Sequence, residues 1–317
     1  MRTALPPVPA GMTRARFLRL AAGMAGGAAM GGLCPVTAAA AAAQLPTRPI
    51  PVSGEPLPII GCGTYRGFDV DTGSSKYREL AGVLAALFAA GGSVLDSSPM
   101  YGRAEAVTGQ LLAASNSRAR AFLATKVWTQ GHHAGIAQME DSFKLLRTSR
   151  IDLMQIHNLL DWRIHLPVLR DWQAQGRVRY VGITHYTASA YDQVEAVLRA
   201  ERLDFLQINY SADDRAAEQR LLPLAAERGV AVLVNRPFGG GGLLRRMQGR
   251  PLPRWAAEID AGSWPQLLLK FVLSHPAVTC VIPGTGRPAH MRDNLAAGYG
   301  PLPDRAFWAA HLAELLA

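Results

Sequence analysis

Phe122-Leu123-Ala124-Thr125-Lys126 is a short apolar run, and Ile151-Asp152-Leu153-Met154-Gln155-Ile156-His157 is a second. Between them, residues 134–147 carry apolar side chains at three- and four-residue spacing, the period of a helix with one buried face. Strand, helix, strand is the unit of a parallel sheet, and the pattern continues in both directions. Runs rich in β-branched residues begin near Ile59, Val94, Phe122, Ile151, Val178, Phe205, Val230 and Val278, with amphipathic stretches at 76–90, 188–199 and 218–228 among them. Eight strands alternating with helices predict an α/β chain whose parallel sheet closes on itself, a (β/α)8 TIM barrel. A doubly wound open sheet would usually show Gly-x-Gly-x-x-Gly after its first strand. Gly61-Cys62-Gly63-Thr64-Tyr65-Arg66 begins that way but lacks the third glycine, and no helix opens there.

Upstream, Arg48 to Pro58 sets a Ser53-Gly54 turn between two apolar runs, which reads as a short N-terminal β-hairpin plugging one end of the barrel. Downstream, the glycine-rich piece 238–263 is the longest irregular segment. It lies between the seventh strand and its helix, where a long loop borders the catalytic face. The chain has 317 residues, 49% of them hydrophobic, enough for a barrel of about 250 residues. We expect residues 44–317 to form that domain and 1–43 to stand outside it.

Segment 1–43 has the order of an export signal peptide. Arg14, Arg16 and Arg19 precede a small-residue apolar run from Leu20 to Leu33, followed by an alanine tract with several Ala-x-Ala sites. Thr13-Arg14-Ala15-Arg16-Phe17-Leu18-Arg19 resembles a twin-arginine signal, although Ala15 separates the arginines. The expected location is periplasmic or exported, with the export machinery as the membrane partner. The alternative is a membrane anchor through residues 18–43. Leu33 before Cys34 argues against a lipid anchor.

Of the formal net charge of +9, four charges come from Arg2, Arg14, Arg16 and Arg19, and the remainder is scattered without basic runs. Nucleic-acid binding is not expected. Cys62 and Cys280 are too few for a disulfide scaffold and form no metal-binding spacing. They fall on strands that neighbour each other in a closed barrel, so they would pair only if both side chains faced one way.

Four ionisable groups end successive strands, where barrel enzymes place their catalysts. Asp96 and Tyr101 lie in Val94-Leu95-Asp96-Ser97-Ser98-Pro99-Met100-Tyr101-Gly102, Lys126 ends the third strand and His157 the fourth. Neighbouring strands are about 4.8 Å apart, close enough for the four to converge. Hydride addition to a carbonyl builds charge on oxygen, which an acid must quench. A phenol with a reference pKa of about 10 is a poor acid near neutrality. An ammonium beside it is expected to lower that pKa, with a carboxylate holding the ammonium in place. A histidine then polarises the same oxygen. Taken singly, each residue is as readily an ion-pair or core residue.

Asp96-Ser97-Ser98-Pro99-Met100-Tyr101-Gly102, Ala124-Thr125-Lys126 and Leu153-Met154-Gln155-Ile156-His157-Asn158 resemble the motifs of the aldo-keto reductase family, with similarity from about Arg48 to Asn294. The resemblance implies a catalytic tetrad of Asp96, Tyr101, Lys126 and His157. It also implies NADPH or NADH as cofactor, no metal, a small-molecule carbonyl substrate and a monomer. By the same resemblance, Gly63, Thr64, Tyr65 and Asp96 line the cofactor near the first two strands. Thr184-His185 stands where the family has Ser-Asn on the nicotinamide amide, and Gln207 matches the glutamine there. In Asn235-Arg236-Pro237-Phe238-Gly239-Gly240, Asn235 replaces an aromatic that stacks on the ring, and Arg236 is placed to reach the pyrophosphate. Ile282, Gly284, Thr285, Arg287, His290, Asp293 and Asn294 resemble the adenosine end. There the family's 2′-phosphate Lys and Arg are Gly284 and His290, leaving Arg287 and Arg292 as candidates to compensate. Trp128 and Trp162 are expected walls of the substrate pocket. An alternative of another class is a nicotinamide-binding barrel that acts as a redox-sensing or regulatory subunit with little turnover.

Overall fold

The computed structural model describes residues 44–316; the expected export signal lies outside them. Strands β1 (Thr47–Pro49) and β2 (Pro56–Pro58) form the antiparallel hairpin. Eight parallel strands follow: β3 (Cys62–Gly63), β4 (Val94–Asp96), β5 (Phe122–Val127), β6 (Ile151–His157), β7 (Val178–Thr184), β8 (Phe205–Asn209), β9 (Ala231–Asn235) and β10 (Cys280–Val281). They pair in chain order from β3 to β10. Bridges Ile60–Val281 and Gly63–Gly284 join the last strand to the first, with Gly61 N donating to Val281 O at 2.8 Å and Val281 N to Ile59 O at 2.9 Å. The fold is the expected (β/α)8 barrel.

Strand alternation sorts side chains between two cores. Val94, Phe122, Ala124, Leu153, Tyr180, Phe205, Leu233 and Cys280 point inward and cluster with Ile50 and Leu57 of the hairpin. Leu95, Met154, Ile156, Ile183, Leu206 and Val232 point outward, into the larger core shared with the helices. Phe122, Tyr180 and Phe205 fill the barrel floor with ring centroids 5.5–6.0 Å apart, each buried aromatic contributing about 1.5–3 kcal/mol. The hairpin seals that floor, because Tyr180 Oη donates to Glu55 at 2.6 Å and Arg179 bridges Glu55 to Asp152. Gly182 is required in the wall, since a Cβ there would sit 2.7 Å from Phe205 O.

Two expectations need correction. Residues 238–263 are not simply irregular: they contain the helix Gly242–Met247 and 3-10 turns at Gly239–Gly241 and Arg254–Ile259. Elements that short cannot display a helical period. Cys62 and Cys280 are both buried free thiols. Cys62 belongs to the outward-facing core and Cys280 to the barrel interior, so register turns them to opposite faces and they cannot pair.

Candidate active site

The inward face of each strand becomes polar at its C-terminal end. Asp96 lies two residues beyond Val94, Lys126 two beyond Ala124, Gln155 two beyond Leu153, and Gln207 two beyond Phe205, so period two carries each into the barrel mouth. There they form one buried network. Lys126 Nζ donates to Asp96 Oδ2 at 2.7 Å and to Ser97 O at 2.6 Å. Asp96 Oδ1 accepts from Gln155 Nε2 at 3.2 Å and from Gln207 Nε2 at 2.7 Å. Thr64 Oγ1 donates to Asp96 O at 3.0 Å, which ties the end of β3 to the same site. Gln155 was not expected here; as the inward residue preceding His157, strand alternation would have marked it.

Tyr101 returns over this network from the β4 loop. The Lys126 ammonium is 5.1 Å from its ring centroid, and the His157 ring stands edge-on at 6.1 Å. The expectation that Lys126 lowers the phenol's pKa is corrected in its net direction. Burial raises the pKa first and most, Lys126 lowers it, and burial prevails. Tyr101 is therefore a firmly protonated phenol. For Lys126, burial would lower the pKa, but Asp96 and Tyr101 outweigh it, and the lysine stands above its ordinary value. Burial, then the charge of Lys126, holds His157 down at about 3, so it is neutral.

Ser98 orients that imidazole, a role the sequence reading did not assign. Its Oγ lies 3.1 Å from His157 Nδ1 and accepts from Met100 N at 3.4 Å. With its oxygen accepting from Met100, the hydroxyl has its proton to give to Nδ1, a pairing that goes with the tautomer carrying the ring proton on Nε2. The loops around the site hold non-glycine residues in the left-handed region: Arg66 (φ 60), Asn158 (55), Leu159 (57), Asp161 (46) and Arg236 (51). Such conformations cost of order 1 kcal/mol or more each and concentrate at functional sites.

Of the expected pocket walls, Trp128 is 40% exposed, with its ring 6.3 Å from His157. Trp162 instead lines a groove between the helices Trp162–Ala174 and Tyr191–Ala200, beneath the Arg163 guanidinium. Tyr65, also half exposed, lies 5.0 Å from Tyr101.

Thr184, Gln207 and Asn235 continue the inward polar rim. Gln207 Oε1 accepts from Thr184 Oγ1 at 3.0 Å and from Asn235 Nδ2 at 3.4 Å, and Asn235 Nδ2 also donates to His185 O. His185 Nδ1 accepts from Tyr186 N, and burial lowers this imidazole's pKa. Buried Asn158 Oδ1 and Asn235 Oδ1 have no partner among the described residues. Orphaned acceptors at this rim fit a carboxamide N–H of a nicotinamide. Arg236 reaches over Tyr186, its guanidinium carbon 5.6 Å from the ring centroid. Pro237 is buried and Phe238 half-buried below it. Phe238, Gly284, Thr285, His290, Asp293 and Asn294 meet in one cavity of about 640 Å³, and Ile282 is buried at its strand. Arg287 and Arg292 are exposed and do not line it; Arg245 and Arg250 do.

Comparison with known proteins places the chain. It is 25% identical over 203 residues to the aldo-keto reductase YhdN of Bacillus subtilis, an alignment covering 59% of this chain and 60% of that one. It is 27% identical over 155 residues to the NADH-specific methylglyoxal reductase of Escherichia coli, covering 41% and 47%. The matches thus span about half of these curated relatives. Among solved structures, an aldo/keto reductase from Klebsiella pneumoniae in complex with NADP and acetate superposes with a TM-score of 0.70 at 25% identity, covering 83% of this chain and 93% of that one. The profile of the Aldo/keto reductase family matches residues 59–310, and the chain belongs to that family.

Proposed function

We propose that this chain is an NAD(P)H-dependent carbonyl reductase that interconverts an aldehyde or ketone with its alcohol. The observation that carries the reading is the buried Lys126–Asp96 pair set against a half-buried, protonated Tyr101. The nicotinamide supplies the hydride when bound. Tyr101 gives its hydroxyl proton to the substrate oxygen as charge builds there, and Lys126 stabilises the phenolate left behind. Asp96, held by Gln155 and Gln207, keeps Lys126 charged and in place. Neutral His157 donates from Nε2 to the same oxygen, and Trp128 walls the pocket beside it.

Thr184, His185, Gln207 and Asn235 hold the carboxamide, with Gly63, Thr64 and Tyr65 beside it. Arg236, Pro237, Phe238 and Gly240 follow the pyrophosphate. The segment Ile282 to Asn294 takes the adenosine. The Klebsiella relative's complex with NADP supports this cofactor class. A regulatory barrel with little turnover is disfavoured, because it would have no use for a complete proton-donating tetrad. The test is Tyr101→Phe, expected to lower turnover by about 10²–10⁴ while nucleotide binding persists. A variant that kept most of its turnover would overturn the assignment.

The export reading of residues 1–43 joins this proposal. Reduced nicotinamide is made in the cytoplasm, so the monomer folds and binds cofactor there before crossing by a twin-arginine-type route. Replacing Arg14 and Arg16 by Lys should strand folded enzyme inside the cell. Export only in the unfolded state, through the general secretory route, would refute this.

A further inference from the structure

The adenosine end poses a problem that its own segment does not solve. By the family resemblance Gly284 and His290 replace the cationic clamp for a 2′-phosphate, and Arg287 and Arg292 are exposed and do not line the cavity. The cavity is nevertheless cationic. Arg245 and Arg250 enter it from the 238–263 segment, opposite Gly284, Thr285 and His290.

Both arginines have donors to spare. Among the described residues the Arg245 side chain makes neither an ion pair nor a hydrogen bond, and its guanidinium lies back over Gly241 and Gly242. The neighbouring Arg246, by contrast, is neutralised by Asp213 at 2.8 Å. The Arg250 guanidinium has a thioether as its hydrogen-bond partner, Met247 Sδ at 3.5 Å, a weak acceptor for a group with five N–H donors. Its position is nonetheless held: Trp264 Nε1 donates to Arg250 O at 3.0 Å, and the guanidinium carbon is 5.7 Å from the Trp264 ring centroid. A half-buried guanidinium fixed in place and lacking an anion is preorganised for one. One carboxylate faces the same space, Asp293. It is engaged by Ser263 Oγ at 2.8 and 3.0 Å and by Gln266 Nε2 at 2.7 Å, so its oxygens are taken up by the first turn of the neighbouring helix Trp264–Leu273.

We propose that Arg245 and Arg250 bind the 2′-phosphate of the cofactor's adenosine ribose and make this chain selective for NADPH over NADH. The proposal rests on the nicotinamide reading above and concerns which residues read the nucleotide. It moves phosphate recognition from the segment after β10 to the segment after β9.

The test is calorimetric titration of the full chain with NADPH, NADH, 2′,5′-ADP and 5′-ADP, without any carbonyl substrate. A charge-assisted phosphate contact predicts NADPH and 2′,5′-ADP binding roughly tenfold to hundredfold tighter than their counterparts. Arg250→Ala and Arg245→Ala should each erase most of that preference while leaving the affinities for NADH and 5′-ADP within about twofold. Arg245 is exposed, so its variant folds even where Arg250→Ala does not. Equal affinities in the wild type would overturn the inference. So would a preference for NADH, which would hand the ribose to Asp293, or variants that weaken both nucleotides alike. Failure of every nucleotide to bind would remove the underlying nicotinamide reading as well. Clear 2′-phosphate discrimination without carbonyl turnover would leave this inference standing and the reductase reading refuted.

Discussion

Replacing Lys126 by Met separates what the buried ion pair does for stability from what it does for chemistry. The Lys126 side chain is fully buried and its partner Asp96 only 4% exposed. Removing one member of such a pair leaves an uncompensated charge, at a cost of about 3–5 kcal/mol. Asp96 would keep both amide donors, Gln155 at 3.2 Å and Gln207 at 2.7 Å, so the low end, about 3 kcal/mol, is expected. For a domain of this size that lowers Tm by roughly 6 °C or more. In K126M/D96N no charge remains at the pair, and the side-chain carbonyl of the new amide can still accept from both glutamines. About 2 kcal/mol should return, while turnover stays lost because nothing stabilises the Tyr101 phenolate. Scanning calorimetry alongside single-turnover NADPH oxidation reads both quantities. A Lys126→Met protein within ~1 °C of wild type, or a double variant no more stable than the single one, would refute the reasoning.

Ser98→Ala removes the partner of His157 Nδ1 and should lower kcat roughly tenfold by releasing the tautomer, with nucleotide Kd unchanged; unaltered kcat would discard that role for Ser98. His157, held at about 3 against 6.5 when unfolded, stays neutral where the unfolded chain takes up a proton. Stability is therefore lost as pH falls below 6.5, by up to about 2.5 kcal/mol at pH 4.5. Urea midpoints of His157→Gln should show a shallower acid decline than wild type, and parallel declines would contradict this. Gly109→Ala would drive a Cβ into Leu145 O and place it 2.8 Å from Leu146 Cα. The helix Ala104–Ala114 would have to shift, at a net cost of about 1–3 kcal/mol despite alanine's better helix propensity, and an unchanged urea midpoint would show that this contact yields.

Much of the molecule is legible in the chain because it follows from local periodicity. Every barrel strand begins within a few residues of its expected start, since a strand buried on both faces shows as a continuous apolar run. The convergence of Asp96, Tyr101, Lys126 and His157 was legible for the same reason: in a closed parallel barrel, strand ends share one rim. What depends on register between strands was not. Gln155 and Ser98 act on partners 59 residues away in each case, and Cys62 and Cys280 are separated by which way each strand faces. The protonation of Tyr101 is a competition between burial and the charge of Lys126, and burial is known only once the loop has folded over. The docking of 238–263 is the furthest from the sequence: its helices are too short to show a period, and only the folded chain brings Arg245 and Arg250 opposite His290. The sequence by itself determined the barrel and the chemistry at its rim. The tertiary structure decided which side chains hold that chemistry in place and which cations face the adenosine end, because both depend on distances between segments that no local pattern encodes.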